Sequence, residues 1–214
     1  MIEVWGRATS SNVQAVMWCA AELGLEVVRH DRGHRHGGLD TPEYRAMNPH
    51  GLVPVIREDG GPAIWESGAI VRYLAARHGD AAFWPPDPAE RAALDMWAEW
   101  IKTALGPAFT LRIFWPRLRP PEGGLHPETD AAAVAEITEL ARRLDLRLGA
   151  GPWLAGETFT WADIVVGHLT HRWFTLDWPR PDLPHLADYR DRLVRRPAYA
   201  EHVMVDWSVL RTPA

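Results

Sequence analysis

The chain has 214 residues, 47% hydrophobic and 24% charged, with a formal net charge of -5, long enough to bury roughly 70% of its unfolded surface without disulfide or metal staples. The acidic balance gives no general attraction to phosphate backbones or anionic lipid, which sets nucleic acid aside as a partner. Cys19 is the single cysteine, so an intrachain disulfide, a C-x-x-C redox pair and a thiolate-rich zinc site are excluded, in keeping with a reducing compartment.

The opening MIEVWGRAT reads as strand, with no basic segment ahead of an apolar stretch, and no apolar run approaches the roughly 18 residues needed to span a bilayer. The expectation is a soluble cytoplasmic protein with no membrane partner. IEVWG is the first strand, and residues 12–23 form a helix with Val13, Val16, Met17, Ala20 and Leu23 at three- and four-residue steps, ending at Gly24. LEVVRH is a second strand. RGHRHGGLDTPEY reads as a loop leading into a short helix capped by Thr41, with Pro42 at its first position, that stops before Asn48-Pro49. VPVI and PAIW pair around the turn EDGG, and residues 66–77 are helical. This order builds a mixed sheet flanked by helices, the α/β part of the chain.

GDAAFWPPDP breaks the alternation with three prolines and a glycine, as a stiff linker does. Nothing beyond it reads as strand, so the second part is all-α. A long helix over residues 88–115 carries Leu94, Trp97, Ile101 and Leu105 on one stripe, with a kink expected at Pro107. Residues 128–148 form another helix. ETFTWADIVVGHLTHRWF starts a third, with Thr160 and Asp163 spaced as a capping box, and LPHLADYRDRLVRR and PAYAEHVMVDW read as two more. The 12 tryptophans are scattered through both parts, as core and interface anchors are.

Three local patterns admit a chemical reading beside a structural one. In ATSSNVQAV, three small polar residues precede a helix where one would serve as cap. In LVPV a proline interrupts a strand, which an edge or a bend tolerates. Glu66-Ser67 sits where the hairpin gives way to a helix, so an acid and a hydroxyl flank free N–H groups and the positive end of a dipole, a corner suited to a zwitterion or simply to capping.

Taken together, NPHGLVPVI, WESGAIVRYLA and ETFTWADI, in this order and spacing, resemble the cytosolic glutathione S-transferase family over almost the whole chain. The resemblance implies a thioredoxin-like N-terminal domain over residues 1–79, a linker over 80–87 and a helical-bundle domain over 88–214. It also implies reduced glutathione as co-substrate, no metal, a role in detoxification and a homodimer. On this carry-over Val53 pairs with the cysteinyl backbone of glutathione and Pro54, in cis, holds that geometry. Ser67 takes the γ-glutamyl carboxylate, Glu66 takes the ammonium, and His50 adds a contact. Ser10 falls where serine-type classes carry the catalytic hydroxyl. Asn12 is assigned a secondary polarising role, and Ser11 remains open as a simple cap.

A hydrophobic-substrate site is expected between the domains from Trp97, Trp100, Ile101, Phe114, Trp115 and Trp207, although core packing is the stronger explanation for each and about one in three is expected to reach a substrate. His34 and His36 lack a third ligand at metal spacing, His168 and His171 lack a paired acidic helix, and Cys19, inside an apolar helix, reads as buried and inert. The implied activity is a glutathione transferase that ionises the thiol at Ser10 and conjugates it to a small hydrophobic electrophile. Alternatives are a glutathione-dependent isomerase of the maleylacetoacetate type, a peroxide or disulfide reductase, or a glutathione-binding scaffold with little turnover. Against the isomerase, SSNV lacks the cysteine of an S-S-C pattern.

Overall fold

The computed structural model describes residues 1–211, so the last three residues of the expected helical domain lie outside the described residues. Four strands, β1 (Ile2–Trp5), β2 (Val27–His30), β3 (Val55–Glu58) and β4 (Ile64–Trp65), form one sheet in the order β2-β1-β3-β4. β1 and β2 run parallel with Ile2 opposite Val27, which obliges the chain to cross over through a helix, α1 (Ser11–Glu22). β3 pairs antiparallel with β1, placing Val55 opposite Trp5, and β4 closes the hairpin. α2 (Pro42–Met47) starts as the sequence specifies, with Thr41 Oγ1 accepting from Tyr44 N at 3.3 Å. α3 (Ser67–His78) packs against α1 over a core that includes Val4, Val13, Val16, Ile56, Ile70 and Leu74. This is the mixed sheet and helix pattern of a thioredoxin-like unit.

The helical part begins with a continuous rod over residues 88–118. It consists of α4 (Pro88–Trp100), a π-turn (Ile101–Leu105), α5 (Gly106–Phe109), a second π-turn (Thr110–Phe114) and α6 (Trp115–Leu118). Where a kink is expected at Pro107 the helix carries a pair of π-turns, one just ahead of Pro107 and one just ahead of Pro116. Proline offers no N–H and its ring excludes the carbonyl four residues back. The wider turn resolves both conflicts, with Gly106 N donating to Ile101 O and Trp115 N to Thr110 O. α7 (Pro127–Leu148) follows, then α8 (Trp161–Gly167), α9 (Thr170–Thr175), α10 (Pro184–Leu193) and α11 (Pro197–His202).

Three local expectations change. The single helix read from Thr160 onward is two, because the Thr170 hydroxyl donates to Gly167 O at 2.7 Å and His168 Nδ1 bonds Val165 O at 2.8 Å, taking over carbonyls that a continuing helix would use. The last helix stops at His202, short of VMVDW. The loop after β2 contains a 3-10 turn, His34–His36. The capping box forms as spaced: Asp163 Oδ2 accepts Thr160 N at 2.9 Å, while its Oδ1 accepts Leu154 N at 3.0 Å.

The two parts are clasped by arginines. Arg196 holds both carboxylate oxygens of Glu22 at 2.7 and 2.6 Å and lies 3.6 Å over the Phe159 ring, and Arg72 of α3 pairs with Asp95 (2.6 Å) and Glu99 of α4. Among the described residues no helix is long and apolar enough to cross a membrane.

Candidate active site

The loop from β1 to α1 carries Ser10, 8% exposed, at the N-cap position. Its backbone serves the helix, since Ser10 O accepts Gln14 N at 2.8 Å, but its side chain makes no capping hydrogen bond. The hydroxyl is therefore not spent on capping. The carbonyls just before it are all engaged: Arg29 Nη1 donates to Gly6 O (3.0 Å), Ser10 N to Arg7 O (3.1 Å), Gln14 Nε2 to Ala8 O (2.9 Å) and Arg172 Nη2 to Thr9 O (2.6 Å). Four consecutive partial negative charges beside Ser10 are thus covered by donors, two of them guanidinium groups, while the first N–H groups of α1 have no intrahelical partner. Gly6 allows this loop to lie close, because a Cβ there would sit 2.4 Å from Val13 Cγ2 and 3.3 Å from Val53 Cβ.

Arginines crowd the loop, with Asp31 pairing Arg29 beside it. Arg172 is buried and stacked 4.5 Å over the Phe114 ring, and burial together with Arg7 lowers its pKa to about 9. Burial and the neighbouring Arg119 lower that of Arg7. A cavity of about 180 Å³ opens beside the loop, lined by Arg7, Thr9, Arg29, His34, Arg35 and His36 among others.

Across α1, Asn12 meets α3. Ser67 Oγ donates to Asn12 Oδ1 at 2.9 Å, and Lys102, reaching over from the first π-turn, donates from Nζ to Asn12 Oδ1 at 3.2 Å and to Ser67 Oγ at 2.8 Å. An ammonium only donates, so the amide orientation of Asn12 is determined: its oxygen faces Lys102 and Ser67 and its Nδ2 is turned away from them. Burial lowers the Lys102 pKa, against the opposing pull of Glu66. Glu66, exposed, caps α3 in a left-handed conformation (φ 69°), a region a non-glycine residue enters at a cost and in which strain gathers at functional sites.

The remaining wall is the segment after α2. The Val53–Pro54 peptide bond is cis. Asn48, almost fully buried, organises NPHGL: its Oδ1 accepts His50 N at 3.0 Å and its Nδ2 donates to Leu52 O at 2.9 Å, an oxygen that also accepts the Tyr44 hydroxyl at 2.8 Å. His50 is exposed and stands edge-on to Trp65 with ring centroids 5.0 Å apart.

The six apolar residues expected to line one substrate site are divided by the structure. Phe114, Trp115 and Trp207 gather near the Ser10 loop, with Phe114 centroids 5.2 and 5.4 Å from the other two and Phe114 itself fully buried beneath Arg172. Trp97 and Trp100 pair edge-on at 5.6 Å and line a different cavity with Met96 and Arg143. Ile101 lies in the helical core with Leu105 and Phe109. Cys19 is buried and its thiol pKa is pushed well up by burial. No group of three or more metal-ligating side chains occurs among the described residues.

Gln14, Asn48, Arg172 and Lys102 were not anticipated from sequence. For Lys102 a signal existed: it is the only lysine among 23 lysine and arginine residues. Periodicity gave no reason to bring it to Asn12 and Ser67, because a π-turn sets its direction.

Residues 9–77 match the glutathione S-transferase N-terminal domain family and residues 107–197 the C-terminal domain family. The chain is 34% identical to the glutathione S-transferase GstB of Escherichia coli strain K12 over 210 residues, covering 96% of this chain and 99% of that one. It is 29% identical to the E. coli disulfide-bond oxidoreductase YfcG over 194 residues, 86% of this chain and 85% of that one. Among solved structures, the theta class glutathione S-transferase of Xanthomonas axonopodis pv. citri with glutathione bound superposes with a TM-score of 0.89 at 42% identity, covering 96% of this chain and 98% of that one. With both domain families matched in order and near full-length relatives at this identity, the chain belongs to the glutathione S-transferase family.

Proposed function

We propose that this enzyme binds reduced glutathione along the cis-proline segment and the Glu66–Ser67 corner, ionises its thiol at Ser10 and conjugates it to a small hydrophobic electrophile. The observation that carries the reading is the Ser10 hydroxyl, placed at a helix N-cap position yet making no cap, in a loop whose carbonyls are covered by donors. A thiolate set against it gains a charge-assisted hydrogen bond, the helix dipole and nearby arginine charge. In this reading Ser10 activates glutathione and attacks nothing itself. The backbone of Val53, the Ser67 hydroxyl with its helix N–H groups, and the Glu66 carboxylate hold the tripeptide. Trp115, packed with Trp207 on the buried Phe114, provides apolar surface near the sulfur. The assembly is a homodimer.

A second reading, reduction of disulfides through glutathione, is favoured by the likeness to the oxidoreductase YfcG. In that case the thiols come from glutathione, because the chain's one cysteine is buried. A panel of halogenated aromatics, epoxides, hydroperoxides and disulfides separates the two by which class turns over. Ser10→Ala is expected to cut turnover while sparing glutathione affinity. Wild-type protein that fails to bind glutathione at millimolar concentration would refute both readings.

A further inference from the structure

Building on the proposed glutathione site, we propose that Lys102 is a carboxylate receptor: with Ser67 it binds the α-carboxylate of the γ-glutamyl residue, delivering from the helical part of the chain a positive charge that is not held by an ion pair, whereas Arg72 of α3 is paired with Asp95 and Glu99.

The chain meets every other cationic need of the lysine and arginine kind with arginine. A guanidinium is a wide planar fork; an ammonium is compact and can aim one N–H at each of several converging oxygens. Lys102 Nζ lies between Asn12 Oδ1 at 3.2 Å and Ser67 Oγ at 2.8 Å, with its stem passing over Gly68, whose Cβ position lies 3.8 Å from Lys102 Cε. Two of its three N–H groups are used and the third remains for a further acceptor.

Both oxygens it touches are neutral, and among the described residues it forms no ion pair. The charges around it are divided. Glu66 and Glu99 attract it, Arg72 opposes it, and on the helical side it helps keep His168 neutral. Burying a cation without a counterion is costly, so an arriving anion recovers part of that cost. Ser67 is the first residue of α3, whose free N–H groups favour the same sign of ligand. Glu66 stands next in the chain, exposed and of opposite charge. Acid and ammonium together complement the head of a free amino acid, which the γ-glutamyl end of glutathione presents.

The competing explanation is that Lys102 only ties the two parts together, and a chemical double-mutant cycle separates them. Calorimetry measures binding of glutathione and of 4-aminobutyryl-cysteinylglycine, which lacks that carboxylate, to wild type and to Lys102→Met. Removing the carboxylate and removing the Lys102 amine should each cost about tenfold or more in affinity, and the variant should discriminate between the two ligands about tenfold less than wild type does, the residual difference being what Ser67 and the α3 N–H groups contribute. An equal weakening of both ligands by the substitution, or unchanged glutathione affinity, overturns the proposal. Failure of wild type to bind glutathione defeats the site reading itself and is distinct from either.

Should Lys102→Met not fold, the wild-type protein still decides the matter. Lys102 is its sole side-chain amine, so reductive methylation mapped by mass spectrometry reports on it alone, with the Met1 amine as internal reference. Glutathione at saturation should slow its modification about tenfold or more, and the analogue much less. Equal protection by the two ligands, or none, overturns the assignment.

Discussion

A serine at a helix N-cap ordinarily gives its side-chain oxygen to an N–H two or three residues on, at a gain of about 1 kcal/mol; Ser10 forgoes that bond. The return, on the proposed reading, is modest if ionisation is its only service. Lowering a thiol pKa from about 8.5 by about two units raises the thiolate at pH 7 from roughly 3% to roughly 75%. The accompanying loss of nucleophilicity, roughly eightfold at a Brønsted slope of about 0.45, leaves a net gain of about threefold. Ser10→Ala should therefore raise the pKa of bound glutathione, read from thiolate absorbance, by about two units. Its rate deficit should be about sixfold near pH 6.5, vanish near about pH 7.6 and turn into a severalfold advantage above about pH 9, where the more basic thiolate is fully formed. A deficit independent of pH would mean that the hydroxyl positions the sulfur and does not ionise it. Asp163 illustrates the opposite use of a polar group. It is fully buried and accepts from Leu154 N, Thr160 N and the Tyr189 hydroxyl, with burial raising its pKa to about 6. Asp163→Ala strands those donors and should cost roughly 3–5 kcal/mol, measured by denaturant unfolding.

At the scale of elements, the rod over residues 88–118 shows how two prolines are accommodated without breaking a helix. The first π-turn depends on Gly106: a Cβ there would lie 2.6 Å from Ile101 O and 3.4 Å from Leu169 Cδ1. Gly106→Ala must widen the turn further or revert it, and should destabilise the fold by roughly 1–3 kcal/mol. Because the same turn aims Lys102 at Asn12 and Ser67, glutathione affinity should fall as well. Retention of both stability and affinity would show that the turn is not needed. Cap and turn chemistry at Thr41-Pro42 and Thr160–Asp163 was readable from the sequence because each depends on residues within four positions. The break between α8 and α9 was not, since Thr170 bonds Tyr199 at 2.6 Å as well as Gly167, and only the folded chain brings Tyr199 there.

For the whole molecule, the join between the two parts includes a few partly buried arginines. Removing Arg196 deletes a two-pronged pair with Glu22 and its stacking on Phe159, and Arg196→Ala should lower unfolding free energy by roughly 1.5–3 kcal/mol. The acid limb of stability follows from two buried groups of opposite tendency. Burial, reinforced by Lys102, lowers the His168 pKa from 6.5 to about 3, so the folded state refuses a proton that the unfolded chain accepts. Stability is lost as pH falls below 6.5, at up to about 1.4 kcal/mol per pH unit. Asp163, raised from 3.8 to about 6, keeps a proton that the unfolded chain has released, so its contribution grows as pH falls from 6 to 4. The two slopes oppose each other in that window. His168→Gln should make urea midpoints rise relative to wild type as pH drops from 6.5 to 4; parallel profiles would contradict the assignment.

Sequence by itself determined the strand and helix order, the helix starts and the local pieces of the site: a polar helix entry at Ser10–Asn12, a proline in a strand, an acid and a hydroxyl at a helix start. These are short-range features, decided by hydrogen bonds and sterics within a turn or two. The tertiary structure alone decided which pieces converge. It brought Lys102 onto Asn12 and Ser67, covered the carbonyls beside Ser10 with Arg29 and Arg172, and placed Trp97 and Trp100 in a cavity whose lining does not include the Phe114, Trp115 and Trp207 cluster. Such convergence depends on how one element rotates and packs against another, and a one-residue widening of a helical turn is enough to redirect a side chain without leaving a mark in the hydrophobic period.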